Sequence, residues 1–170
     1  MYDGILVRPH KNSDLGPVLK CCELDGVDYY PSVPEKMNPD EIKEECGFLF
    51  DPSRLFILQD INMGFMGFIY AEKVKKKNMN VEFRISLCDN ARSNKYPPAL
   101  EAAFDFFLNE WNFHKASCYC YEFEKRKQNA LENMRAACVA TLPDEIFING
   151  NFFAMYIYTL FSNTFRLTHS

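Results

Sequence analysis

Side chains able to do chemistry fall in a few short stretches of this sequence. Glu82 lies in the run Val81 to Cys88, where Val81, Phe83, Ile85 and Leu87 alternate with Glu82, Arg84, Ser86 and Cys88. A period of two marks a strand with one row of side chains in a core and the other on the opposite face. Glu82 is thereby placed on the non-core face, where a carboxylate can accept a proton. Read alone, it is more simply an ordinary strand carboxylate, exposed or beside Arg84, because one carboxylate without a partner says little. Cys118-x-Cys120 with nearby His114 invites a metal reading, but a tetrahedral zinc site draws on closely spaced pairs and no second pair follows. On a strand the two sulfurs share a face with Ala116, which reads as small buried hydrophobes. A Cys/His nucleophilic centre needs no adjacency in sequence, and nothing here marks one.

The elements that must position these groups follow from periodicity and turn residues. Ile5 to Pro9 reads as a strand, after which Ser13 or Asp14 caps a helix with Leu15, Val18, Leu19 and Cys22 on its apolar face. Residues Asp25 to Lys36 read as a loop, and Asn38-Pro39-Asp40-Glu41 starts a second helix burying Ile42, Cys46 and Leu49. Leu55 to Gln59 and Phe65 to Glu72 form a hairpin through Asp60 to Gly64, and Lys73 to Lys77 reads as a solvated turn before the Glu82 strand. Pro97-Pro98 introduces a long helix whose apolar series is Leu100, Ala103, Phe104, Phe107, Leu108 and Trp111. A strand at Ala116 to Phe123, a short helix at Lys125 to Met134 and a strand start at Cys138 to Leu142 come next. Ile146 to Ile148 and Phe152 to Leu160 close the chain as a hairpin through Asn149-Gly150. Residues 1–160 therefore form a single domain and 161–170 a tail.

Composition narrows the classes of function. A chain of 170 residues with 48% hydrophobic and 15% aromatic content can bury its own core. The net charge of -4 offers no broad positive field to hold phosphate backbones, which argues against nucleic-acid binding. No apolar run approaches the roughly eighteen residues that cross a bilayer, and the N-terminus has no signal-peptide core. The expectation is a cytoplasmic protein, outside the membrane, with its seven scattered cysteines reduced.

The order of elements, together with Leu6-Val7-Arg8-Pro9, Ser13-Asp14-Leu15, Gly67, Lys115 to Phe123 and Asp144 to Gly150, resembles the GNAT superfamily in its ribosomal-protein N-acetyltransferase-like branch. The resemblance implies an α/β (α+β) three-layer domain, with a mixed, mostly antiparallel sheet of six to seven strands flanked by about four helices. It also implies acetyl-CoA as co-substrate and an amine as acceptor. In the family a glycine-bearing loop before the long helix holds the cofactor's pyrophosphate on backbone N–H groups. The matching stretch is Arg92, Ser93, Asn94, Lys95 and Tyr96, followed by Pro97; Lys95 and Pro97 stand where the family has glycines, and Lys95 offers a point charge instead. Backbone N–H groups near Leu87 and Cys88 would stabilise the oxyanion, and Glu82 matches a glutamate thought to act as base. The family's helix-opening asparagine is Glu124 here, its proton-donating tyrosine is Leu131, and its Gly-Phe pair is Arg135-Ala136.

Two readings follow. One is an acyl-CoA-dependent N-acyltransferase using Glu82. The other is a catalytically inactive protein of the same fold that acts through protein contacts. Aromatics on both faces of the Phe152 to Leu160 strand make a second copy of the chain, or another protein, the candidate partner.

Overall fold

The computed structural model describes residues 4–24, 53–88, 91, 94–148 and 150–162. The loop and helix expected between residues 25 and 49 lie outside these residues. Strand β1 (Ile5–Pro9) leads through a 3-10 turn (Asn12–Asp14) into helix α1 (Leu15–Leu24). The start of this helix corrects the expected cap. Asp14 reaches backward: its carboxylate accepts the Lys11 N–H at 2.7 Å and takes both terminal nitrogens of Arg8 at 2.8 Å. An acid inside the first turn thus satisfies the amide at the helix entrance, and the same group ties β1 to α1.

Strands β2 (Leu55–Asp60), β3 (Gly64–Lys75) and β4 (Asn80–Leu87) form an antiparallel meander. The first turn is made by Asp60, which accepts the N–H groups of Asn62 and Met63 at 2.8 and 3.1 Å, and by Gly64 at φ 76°. Strand β3 runs past its expected end because it carries a bulge: Ala71 pairs with Phe83 and Lys73 with Glu82, leaving Glu72 as an extra residue. The bulge reverses the alternation. Ile69 and Ala71 face the core before it, Val74 after it, and Lys73 is carried onto the face of Glu82.

Helix α2 (Tyr96–Asp105) ends in a π-helical turn, Phe106–Glu110. Leu100, Ala103, Phe104, Phe107 and Leu108 are buried as expected, but Trp111 is 38% exposed. The wide turn is the reason: the Trp111 N–H donates to Phe106 O, five residues back, at 2.9 Å, and the inserted residue shifts the helical phase. Strand β5 (Lys115–Tyr121), helix α3 (Lys125–Asn133) and the hairpin of β6 (Ala137–Ile148) and β7 (Asn151–Phe161) complete the chain. The two strand pieces expected around Cys138 and Ile146 are one strand, bulged between Leu142 and Ile146, where Asp144 sits at φ 53° and Pro143 needs no ladder bond. Strand β7 passes the expected boundary at 160, and the Ser162 N–H still bonds His114 O at 2.9 Å.

The described strands form one sheet in the order β1-β2-β3-β4-β5-β7-β6, antiparallel except between β4 and β5. The mixed, mostly antiparallel α/β (α+β) architecture expected from the sequence is the one adopted. On one face α1 packs Val18 and Cys21 against Leu55, Ile57, Phe68 and Tyr70. On the other, α2 and α3 cover Phe56, Leu58, Phe83, Ile85 and Cys118. Three layers result because alternate strand residues point to opposite faces and both rows are apolar here. No described helix is long and apolar enough to cross a membrane.

Candidate active site

The parallel pair β4–β5 is registered only from Asn80 with Lys115 to Phe83 with Cys118. Beyond that point β4 stays with β3, and Tyr119 to Tyr121 stay with β7. Two central strands therefore part, and the sheet opens into a wedge between them. The Cys88 N–H donates to Met66 O at 2.9 Å, across to β3. Successive strand amides point to opposite edges, so the Leu87 N–H is directed toward the wedge. This corrects the expected pair of oxyanion donors: the Cys88 amide belongs to the ladder. Gly67, opposite Leu87, has a steric reason to be glycine, since a Cβ there would collide with the Ser86 carbonyl oxygen.

On the α1 face, a polar cluster lies at the root of the wedge. Glu82 accepts Lys73 Nζ at 2.9 Å and a close hydrogen bond from the Tyr119 hydroxyl. Arg84 donates to the Tyr121 hydroxyl at 2.9 Å, carries its guanidinium carbon 5.2 Å from the centre of the Tyr119 ring, and pairs its Nε with Glu72. Burial pushes the Glu82 carboxyl up, but the Tyr119 hydroxyl and Lys73 outweigh it and hold the group below its ordinary value. The Tyr119 hydroxyl is pushed up to about 12, by burial first and then by its bond to Glu82. At neutral pH the pair is therefore a carboxylate held by a protonated phenol.

The opposite side of the wedge holds the loop before α2. Ala91 is buried, its N–H donates to Cys88 O at 2.8 Å, and its carbonyl accepts the Lys95 N–H at 2.9 Å. Arg92 and Ser93 lie outside the described residues. Asn94 is exposed and the Tyr96 side chain is buried. Lys95 does not point into the wedge as a spare charge: its Nζ pairs with the buried Asp60 carboxylate at 3.1 Å. The Lys95 amide is used within the turn, and Pro97 and Pro98 have no N–H to give. At the head of α3, Glu124 accepts the Tyr121 N–H at 2.7 Å and pairs with Lys127 at 3.0 Å. Lys127 is only 1% exposed, so this is a buried ion pair. Leu131 is buried on the same helix.

Cys118 and Cys120 sit in the core, and burial pushes both thiols up to about 12. His114 is exposed beside Phe161. A cleft of about 750 Å³ exists elsewhere, at the β3–β4 turn, lined by Arg54, Lys75, Lys76, Lys77 and Trp111. It is at the far end of β4 from Leu87 and plays no part in the wedge.

Nearly the whole chain can be superposed on known acetyltransferases. The spermidine/spermine N-acetyltransferase SpeG of Vibrio cholerae, in mutant forms, aligns over 98% of this chain and 99% of its own with a TM-score of 0.80 at 15% identity. The spermidine N-acetyltransferase of Vibrio cholerae in complex with CoA and spermine aligns over 96% and 98%, with a TM-score of 0.80 at 16% identity. A dodecameric structure of that enzyme in an intermediate state aligns over 98% and 99%, with a TM-score of 0.77 at 16% identity. This chain has the GNAT acetyltransferase fold. No protein-family model matches the sequence, and no curated protein matches it significantly.

Within the GNAT fold, the structure brings Glu82 and Leu87 to the wedge and directs Lys95 away from it. Sequence reasoning missed Tyr119, Tyr121, Arg84 and Glu72 as a cluster. Period-two alternation puts Tyr119 and Tyr121 on one face, but only the β4–β5 pairing sets them beside Glu82 and Arg84.

Proposed function

We propose that this chain is a GNAT-type N-acyltransferase that moves an acetyl group from acetyl-CoA to a primary amine. The observation that supports this reading is the parting of β4 from β5, with a held carboxylate at its root and the Leu87 N–H directed into it. The amine nitrogen attacks the thioester carbonyl, and the oxyanion that forms is received by the Leu87 N–H. Glu82 takes the amine's proton, directly or through water, while the C–S bond breaks and the thiolate is protonated from solvent. Tyr119 and Lys73 position the carboxylate. The stretch Arg92 to Tyr96 would hold the pyrophosphate through groups other than the Lys95 amide, and the Lys95 side chain would join it if its bond to Asp60 opened.

Among the described residues of the cluster, the carboxylates Glu72 and Glu82 are matched by Arg84 and Lys73. That neutral balance favours an acceptor with one amino group over a polyamine, whose further charges need carboxylates of their own. For the partner, we propose a second copy meeting the edge hairpin, where Phe147 and Phe152 are 57% and 61% exposed with ring centroids 4.8 Å apart. A monomer by light scattering at micromolar concentration would remove this partner.

A second reading, with the fold kept and catalysis lost, is favoured by one observation: the Lys95 side chain is bound to Asp60, and Pro97 and Pro98, just beyond Tyr96, have no N–H to offer. Thermal unfolding with acetyl-CoA separates the two. Binding stabilises the native state by about 2.7 kcal/mol at a hundredfold excess over Kd, and Arg92→Ala should abolish the shift. No shift at millimolar acetyl-CoA selects the non-catalytic reading.

A further inference from the structure

The wedge has a second piece of chemistry beside it that acyl transfer does not use. Cys21 lies on α1, one helical turn after Val18, and both face the sheet. Ser86 and Cys88 are two residues apart on β4 and share the face that α1 covers. The Cys21 sulfur is 3.6 Å from Ser86 Oγ and 3.7 Å from the sulfur of Cys88. Cys118, Cys120 and Cys138 are placed differently. Cys118 and Cys120 turn their thiols to backbone carbonyls of Tyr119 and Tyr121 at 3.5 and 3.6 Å, deep in the core, and Cys138 turns to Ala140 O at 3.6 Å.

The geometry points to a modification site in which the thiols of Cys21 and Cys88, in contact across α1 and β4, are joined as a disulfide by a hydroperoxide. Cys88 is half-buried and gives the oxidant its entry, whereas Cys21 is 1% exposed and is placed to resolve. The Cys88 thiolate attacks the peroxide, the O–O bond breaks, and the sulfur becomes a sulfenic acid as water or an alcohol leaves. The Cys21 thiol then attacks that sulfur; the S–S bond forms, and the sulfenic oxygen departs as water with the thiol proton. Two electrons pass from the two thiols to the peroxide. Sulfurs in van der Waals contact need to close to about 2.0 Å, a movement that side-chain rotation and a small approach of α1 supply. Three observations combine here: the pair is in contact, one member is partly exposed, and the bond ties α1 to the strand end that bears Leu87.

The test uses the whole chain treated with one equivalent of hydrogen peroxide and digested with trypsin without reductant. Cleavage after Lys20 and Arg84 puts Cys21 with Cys22 in one peptide and Cys88 alone in another. The expected product is the linked pair, lighter by two hydrogens than the separate peptides and parted again by dithiothreitol. Cys22→Ser should leave its yield unchanged, which assigns the link to Cys21. Cys21→Ser should abolish it and leave a Cys88 sulfenic acid that dimedone traps. Melting before and after oxidation should show a rise of several degrees, because the link closes a long segment of chain. Loss of the linked peptide in Cys22→Ser, a Cys88 that links elsewhere, or oxidation of Cys88 to sulfinic acid with Cys21 still reduced would each overturn the assignment. These readouts do not depend on acetyl-CoA, so the result stands apart from the acyltransferase reading.

Discussion

The two sides of the β4–β5 wedge have been treated differently. On the α1 side, Glu82, Tyr119, Arg84 and Glu72 are borne by strands, and each polar group in the cluster has a charged or hydroxyl neighbour. On the loop side, Lys95 pairs with Asp60, Pro97 and Pro98 remove amides, and a buried Glu124–Lys127 pair stands at the head of α3. The contrast teaches where a fold conserves geometry. A strand residue is fixed by its ladder, so its partners on the same face persist as long as the sheet does. A loop before a helix is fixed by a few local bonds, and a single lysine or proline can redirect it at little cost to the core. In this chain the cluster is held by the sheet, while the loop before α2 is held by a few local bonds.

This comparison can be broken or sharpened by substitution. The largest effect on stability is expected from Glu124→Ala, which removes the carboxylate paired with buried Lys127. Denaturant unfolding should show a loss of about 3 kcal/mol or more, with recovery in Glu124→Gln/Lys127→Met. On the other side, Glu82→Gln should lower kcat about a hundredfold with the melting temperature little changed. Because Tyr119 and Lys73 hold Glu82 below its ordinary value, kcat/KM should stay flat down to about pH 4 on its account. An acidic limb near neutrality would assign the base to another group. Gly67→Ala pushes β3 and β4 apart beneath Leu87, and a loss of about 2 kcal/mol is expected from the forced shift. If calorimetry shows no loss, Gly67 is not what sets the mouth of the wedge.

The smallest effect is a pH dependence on the loop side. The Asn62 amide first, then Lys95 and the Met63 amide, hold the Asp60 carboxyl below its ordinary value. A depressed carboxyl stabilises the fold fully above the unfolded value of about 3.9 and loses that contribution as pH falls through the lower folded value. The melting-temperature gap between the wild type and Asp60→Asn should therefore be constant above about pH 5 and shrink below pH 4. A gap that persists at low pH would mean that packing, not charge, is what Asp60 supplies. If Asp60→Asn also frees Lys95, acetyl-CoA should bind more tightly to the variant.

Much of the chain was legible before its structure. The alternation through Val81 to Cys88 located β4 and its faces, and the apolar series from Leu100 to Leu108 located the buried side of α2. Trp111 falls in the apolar series yet is partly exposed, because one inserted residue in a π turn leaves no mark in hydrophobic periodicity. Lys73 reads as part of a turn in sequence, and the bulge at Glu72 that puts it beside Glu82 depends on how β3 meets β4. Glu82 could be picked out as a carboxylate on a polar face, but its hold on Tyr119 joins residues far apart in the chain.

Local pattern alone determined the elements here, because the polarity of neighbouring side chains fixes which face of a strand or helix can be buried. It determined the class of fold through their order, and it showed that the loop before α2 runs into two prolines that have no amide to give. Tertiary structure decided where β4 leaves β5, which amide points into the opening, and that Lys95 belongs to Asp60. Those outcomes depend on pairings between distant segments, and a charge chooses its partner only after the chain has brought the alternatives within reach.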